Sequence, residues 1–142
     1  MTPIIHQRTL EIPTRGRGFT DITREIAAVV AESGAAVGLC SVFITHTSAS
    51  LVIQENADPA VLRDLARWMT RLAPESDDYE HDAEGRDDMP SHLRSAVTRT
   101  GEVVPIAERR LCLGTWQGVY VWEHRAAPHH RRVVVTVTGT AG

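Results

Sequence analysis

The stretch Ile44–Asn56, "ITHTSASLVIQEN", places a histidine and a group of hydroxyl residues between two apolar runs. Upstream, Val37 to Thr47 is rich in β-branched and apolar side chains, and Leu51 to Gln54 offers a second short run of the same kind. The pattern reads strand, break, strand. Side chains alternate across a strand, so His46 shares a face with Ile44, Val42 and Cys40, whereas Leu39, Ser41, Phe43 and Thr45 face the other way. His46 therefore ends an apolar row, beside Thr47, Ser48 and Ser50. Such a strand end is either a polar turn with a hydrogen-bonded histidine or the start of a site for a proton, a metal or an anionic oxygen.

Around this stretch the chain alternates strands and helices without a regular repeat. Ile4 to Ile12 reads as a strand, followed by the turn-forming "TRGRG". In "TDITREIAAVVAESG" Ile22, Ile26, Val29 and Val30 recur at helical spacing, with Thr20 or Asp21 as cap and Gly34 as the left-handed stop. "DPAVLRDLARWMTRLAP" is a second helix with Asp58 as cap and Pro59 in its first turn; Val61, Leu62, Leu65, Trp68, Met69 and Leu72 share one side, which makes Trp68 a core residue. Pro74 to Met89 is an acidic loop, long enough to be functional or disordered, and a short helix follows from Pro90 to about Arg99. "EVVPI", "RLCLG", "TWQGVYVWEH" and "RRVVVTVTG" then read as consecutive strands joined by short turns. Early helices and later hairpins predict one α+β domain over residues 1–142, with an antiparallel-rich sheet or sandwich and two to three helices.

Composition narrows the function. The chain has 142 residues, 15 basic and 18 acidic side chains and a net charge of -3, which supplies no field for a phosphate backbone, so nucleic acid is not an expected partner. No apolar stretch approaches the roughly twenty residues that span a bilayer, and the first residues lack a secretory pattern. Cys40 and Cys112 each lie in an apolar run and read as small buried thiols rather than a disulfide framework. The expectation is a cytoplasmic protein.

Three further segments carry chemistry. In "HDAEGRDDMPSHL" His81, Asp82, Glu84, Asp87, Asp88 and His92 crowd the loop and the next helix start; Pro90 fixes an early turn, so Asp88 lies near the cap and His92 within the first turn. The spacing of four between Asp88 and His92 suits two ligands on one helix face, but Asp88 is expected to precede regular helix. "LCLGTWQGVYVWEHR" puts glycines on both sides of Thr115, Trp116 and Gln117, and leaves Trp116 and Trp122 to be pocket wall or core. In "APHHRRV" the adjacent His129, His130, Arg131 and Arg132 point to opposite faces and read as an exposed turn rather than a chelate. There is no HExxH zinc motif and no phosphate-loop signature.

The blocks "HTSASLVIQENADPAVLRDL", "GRDDMPSHLRSAV" and "LGTWQGVYVWEHR", with "RRVVVTVTG" behind them, keep an order and spacing that resembles the YjbQ family, often named secondary thiamine-phosphate synthase. The resemblance implies a small α+β fold, a homotrimer, and a polar pocket near subunit boundaries. Its motif positions fall on His46, Thr47, Ser48, Glu55, Asn56, Asp88, His92 and Gly114 to Gln117. It departs where the family often has Asn and this chain has Asp88, and where the family commonly shows glycine and this chain has Arg109.

What the resemblance implies chemically is the joining of a pyrimidine diphosphate to a thiazole phosphate with release of pyrophosphate, as a side activity on a chain too short for a TIM barrel. Catalytic roles would fall to His46, Asp88 and His92, and substrate contacts to Thr47, Ser48, Glu55, Asn56, Thr115, Trp116 and Gln117. His46, Asp88 and His92 would hold Mg²⁺ or Zn²⁺, and the ligand would be a phosphorylated or anionic small molecule. Two other readings stand beside this one: a metal-dependent hydrolase in which His46 and His92, with His81 or Asp88, hold Zn²⁺ and activate water, and a non-catalytic trimer that binds a metabolite.

Overall fold

The computed structural model describes residues 2–142. Its elements are β1 (Pro3–Pro13), β2 (Gly18–Asp21), α1 (Thr23–Ser33), β3 (Val37–Ile44), β4 (Ala49–Glu55), α2 (Pro59–Leu72), α3 (Asp88–Ala96), β5 (Gly101–Ala107), β6 (Arg110–Leu111), β7 (Gln117–Glu123) and β8 (His130–Thr140). Among the described residues they form two antiparallel sheets, one of five strands in the order β1-β8-β3-β5-β6 and one of three in the order β2-β7-β4. The fold is α+β, as the early helices and the later strands predict.

The valines of β8 explain why that strand is central. Val133, Val135 and Val137 are fully buried, and they lie beside Ile44, Val42 and Cys40 of β3. Leu10 and Ile12 of β1 and Val104 and Ile106 of β5 extend this apolar face. It is covered by Ile26, Val29 and Val30 of α1 and by the small sheet through Leu51, Val119 and Val121. Each fully buried aliphatic side chain contributes roughly 1.5–3 kcal/mol, so this layer is the principal source of stability. The break after Ile44 turns β3 out of the large sheet and sends β4 into the small one.

Several expectations change. Gly18–Asp21 is a strand, β2, held only by pairing with β7, and Asp21 supports the helix start by accepting from Thr23 N at 2.9 Å. The late strands are not a run of hairpins: β5 and β6 pair, but β7 lies in the small sheet and β8 returns between β1 and β3. Trp68 is exposed on α2, whose one fully buried side chain among those described is Met69, because that helix rests on the small sheet by its edge. Cys112 follows the end of β6 and is exposed; Cys40 is buried, and burial pushes its thiol up to about 11.

One buried ion pair joins the sheets. Glu123 at the end of β7 and Arg131 near the start of β8 are both buried, with Arg131 Nε donating to Oε1 at 2.8 Å and Nη2 to Oε2 at 2.5 Å. Thr14 Oγ1 and the Arg125 amide donate to the same carboxylate, and Arg131 Nη2 also donates to Ser48 Oγ at 3.0 Å. Burial opposes ionisation of Glu123, but the bonds from Arg131 and Thr14 outweigh it and hold the carboxyl below its ordinary value. Arg131 is thus no exposed turn residue; its partner lies at the end of the preceding strand, in the other sheet.

Two outcomes follow from this architecture. Removing one charge, as in Arg131→Met, strands the other in the interior and should cost about 3–5 kcal/mol, while Glu123→Leu with Arg131→Met should cost less than the sum of the singles; urea unfolding of the four proteins measures this. Glu108 and Arg109 adopt positive φ, 51° and 68°, in the β5–β6 turn. Arg109→Gly should relieve backbone strain and raise stability by about 1 kcal/mol, read as a higher urea midpoint.

Candidate metal centre

The helix α3 begins two residues earlier than its Pro90 suggests, at Asp88, so Asp88 and His92 do occupy one helix face. His92 Nε2 lies 3.1 Å from Asp88 Oδ2, and the loop residue His81 brings its own Nε2 to 2.6 Å from the same oxygen. One donor atom from each of the three lies within 4.8 Å of the others. Asp88 is 2% exposed, His92 half-buried and His81 exposed. Two imidazoles and one carboxylate oxygen converge on a small volume that opens to solvent on the His81 side.

The other contacts set the roles of these atoms. His92 Nδ1 donates to Thr47 O at 3.0 Å, which fixes its ring and ties α3 to the break after β3. A neutral imidazole has one proton to give, so its second nitrogen, facing a carboxylate, needs either another proton or a cation between them. Arg125 binds the remaining oxygen, Asp88 Oδ1, through Nη1 at 2.9 Å, and Asp87 Oδ2 through Nε at 2.9 Å. Its other amino group donates to Glu84 O, which anchors the loop that carries His81. Burial works against ionisation of Asp88, but the His81 bond and the Arg125 charge hold its carboxyl below the ordinary value.

His46 is placed beside this centre rather than in it. Its Nε2 accepts from the Arg132 amide at 2.8 Å, and Nδ1 lies 3.3 Å from an Arg131 nitrogen. Burial and then the Arg131 charge lower its pKa, so the ring is held neutral. His46, Thr47 and His92, with Ser95, Ala96 and Thr100, line a shallow pocket of about 230 Å³. His46 and His92 thus share a pocket, while the metal-capable set exchanges His46 for His81. Ser48 is turned inward onto Arg131.

The remaining expected contacts lie elsewhere. Glu55 pairs with Gln117 at the far end of the β4–β7 ladder, about 20 Å of strand from Ala49. There Asn56 donates to Thr115 O and Gln117 O, Gln117 Oε1 accepts from Gly114 N, and Trp116 is 63% exposed. Within one chain these residues form a separate polar end. Trp122 is core, stacked on Phe19 at 4.5 Å.

Arg125 and the Glu123–Arg131 pair are functional supports that spacing did not single out. Their local signals are the charged ending of "VWEHR" after an apolar strand, for Glu123 and Arg125, and the basic run of "APHHRRV", for Arg131. Beneath the centre, His124 is buried with Nε2 2.8 Å from Ser50 Oγ, and its backbone oxygen accepts from Ser91 of α3. Its Nδ1 has no hydrogen-bond partner among the described residues. Both members of this Ser–His pair are sealed from solvent, so it supports the site and is closed to substrate.

The fold and site define a small two-sheet α+β protein with a histidine–aspartate centre at one end of its sheets. A family model described as UPF0047 protein YjbQ-like matches residues 8–140. A UPF0047 protein of Synechocystis is 56% identical over 135 residues, covering 94% of this chain and 92% of that one. The UPF0047 protein YjbQ of Escherichia coli O157:H7 is 42% identical, with 94% and 98% covered. A conserved hypothetical protein of Thermus thermophilus, whose crystal structure is solved, matches at a TM-score of 0.79 and 35% identity, covering 89% of this chain and 97% of that one. A YbjQ-like protein of unknown function from Sulfolobus solfataricus shares the fold at a TM-score of 0.84 and 22% identity, with 96% and 99% covered. The chain belongs to the UPF0047 YjbQ-like family.

Burial and then the Arg94 charge push His124 down to about 3, against 6.5 in the unfolded chain. A depressed histidine pKa stabilises the fold above 6.5 and loses that contribution as pH falls toward 3. From pH 6.5 to 4.5, before Glu123 adds its own contribution, the proton that His124 takes up on unfolding should contribute a slope approaching 1.4 kcal/mol per pH unit, to which His46 adds with the same sign. His124→Asn should flatten that part of the curve, measured by urea unfolding across pH.

Proposed function

We propose that the chain is a metal-dependent enzyme acting on a phosphorylated or otherwise anionic small molecule, with His81, Asp88 and His92 as the ligands of the ion. The observation that carries this reading is the convergence of three donor atoms within 4.8 Å around a buried carboxylate. Two imidazoles favour Zn²⁺ or a similar transition ion over Mg²⁺, which prefers oxygen donors. A bound ion would supply an activated water and polarise a phosphoryl oxygen.

The chain's own residues do the rest. Arg125 occupies Asp88 Oδ1 and leaves Oδ2 as a single-oxygen ligand, while Thr47 O orients the His92 ring. Thr47 and His46 border the pocket beside the centre, so an anion held there meets a hydroxyl and a neutral imidazole. Hydrolysis of a phosphate ester is the reaction this arrangement supports best.

A second reading, the joining of a pyrimidine diphosphate to a thiazole phosphate, is favoured by the separate polar end at Glu55, Asn56 and Thr115 to Gln117. A homotrimer would offer that end of one copy to the metal centre of another and so seat two substrates. This assembly would work in the cytoplasm, where Cys40 and Cys112 remain free.

Metal analysis of the purified chain should find about one transition ion per copy. His81→Ala and Asp88→Asn should weaken retention about a hundredfold or more, and Arg125→Ala by roughly ten- to a hundredfold, with cooperative unfolding preserved. Assays following phosphate release, pyrophosphate release and the joined product together separate the two reactions. Full metal retention and turnover in both ligand variants would sink the reading, and metabolite binding without turnover would make the protein a binder.

A further inference from the structure

The break after β3 hands one position of the sheet ladder to a side chain. Thr45 and Arg132 follow the last β3–β8 pair, Ile44 and Val133, where an antiparallel ladder would exchange two backbone bonds. One is made, from Thr45 N to Arg132 O at 3.1 Å; the return bond from Arg132 N goes instead to His46 Nε2, at 2.8 Å. That amide belongs to β8, which β1 holds from its other side, so it cannot turn away. His46 Nε2 is therefore the bare nitrogen, and a neutral imidazole with a bare Nε2 carries its one proton on Nδ1.

A second donor stands in front of that proton. Arg131 and Arg132 are adjacent on β8 and point to opposite faces, so Arg132 reaches Glu11 on the outside while Arg131 turns inward. Nε and Nη2 of Arg131 are taken up by Glu123 and Ser48. Among the described residues Nη1 has one polar neighbour, His46 Nδ1, at 3.3 Å. A guanidinium nitrogen donates and never accepts. Two N–H groups thus face one another with no acceptor between them, and Arg131 is only 4% exposed. A second proton on the ring would not resolve this contact, because it would set Nε2–H against the Arg132 amide; burial and the Arg131 charge oppose it as well.

We infer that His46 Nδ1 and Arg131 Nη1 form a two-donor clamp for one anionic oxygen of the substrate, a phosphoryl oxygen under the functional reading, and that His46 binds the substrate rather than carrying a proton. With the two nitrogens 3.3 Å apart, an oxygen at ~2.9 Å from each sits about 2.4 Å off the line between them, a normal position for a shared acceptor. Bonds from N–H groups to an ionised oxygen are the stronger kind. Glu123 already balances the Arg131 charge, so the clamp offers oriented donors rather than a free positive charge. His46 lines the same shallow pocket as Thr47 and His92, so an oxygen held at its ring belongs to a ligand within reach of the metal-capable set. The nature of the anion rests on the functional reading; the clamp itself needs no ion.

Nitrogen NMR of the histidine side chains, in the protein as purified and at neutral pH, tests both parts, with His46 assigned by its loss in His46→Asn. The expected result is an Nδ1–H ring at His46, the rarer tautomer of free histidine, and a shift of that ring when inorganic phosphate is added. His46→Asn, whose amide places a donor where Nδ1 was, should bind phosphate within about threefold of wild type, whereas His46→Leu should weaken it about ten- to a hundredfold, the worth of one hydrogen bond to a charged group. If a variant does not fold, the wild-type spectrum decides alone. An Nε2–H ring, or an Nδ1–H ring that phosphate leaves unmoved, would overturn the clamp and leave the metal-dependent reading standing. A phosphate shift in protein that metal analysis finds free of ions would keep the clamp and remove that reading. Acetate moving the ring more than phosphate at equal concentration would overturn the phosphoryl assignment.

Discussion

The Glu123–Arg131 pair lies where three chain connections pass between the two sheets. Thr14 follows β1 on the way to β2, Ser48 lies between β3 and β4, and Glu123 and Arg131 flank the segment from β7 to β8; all four bond within the same buried group. An ion pair in the interior does little for net stability compared with apolar packing, because both charges are removed from water. What it supplies is direction. A carboxylate that accepts four bonds can be satisfied in one arrangement of its neighbours, so the crossovers are held in register where an apolar contact would let them slide.

The candidate metal centre is built on that fixed end. Arg125 follows Glu123 by two residues, and its amide donates to the Glu123 carboxylate while its guanidinium reaches Asp87 and Asp88. Ser91 Oγ bonds the backbone oxygen of His124, between the two. His92 bonds the oxygen of Thr47, next to Ser48. The helix α3 that carries Asp88 and His92 is therefore located by three successive residues of one strand end and by the crossover beside it.

Much of this was legible as pattern and little as partnership. The valine alternation of β8, the strand–break–strand of Ile44 to Asn56, the Asp58 cap and the Gly34 stop all follow from local rules, because each is satisfied within a few residues or by burial on a known face. The four-residue β2 carries too few side chains for a period and exists through its pairing with β7. Trp68 misled because helical spacing reports which residues share a face, not how deeply that face is buried. Arg131 and Glu123 were hidden for another reason: a buried ion pair leaves no periodic trace.

His81 shows the same limit at the site itself. Asp88 and His92 are one helix turn apart and their convergence is a property of the helix, but His81 comes from a loop whose path no local rule fixes. That path is set by the Arg125 bond to Glu84 O and the Arg17 bond to Glu75. The helix alone offers one carboxylate oxygen and one imidazole, too few donors to hold a transition ion on their own. The loop adds the second imidazole, and it does so only while Arg125 grips both the loop backbone and Asp88. The same guanidinium thus fixes the carboxylate and the loop, so the completeness of the donor set and the order of the loop are one condition rather than two.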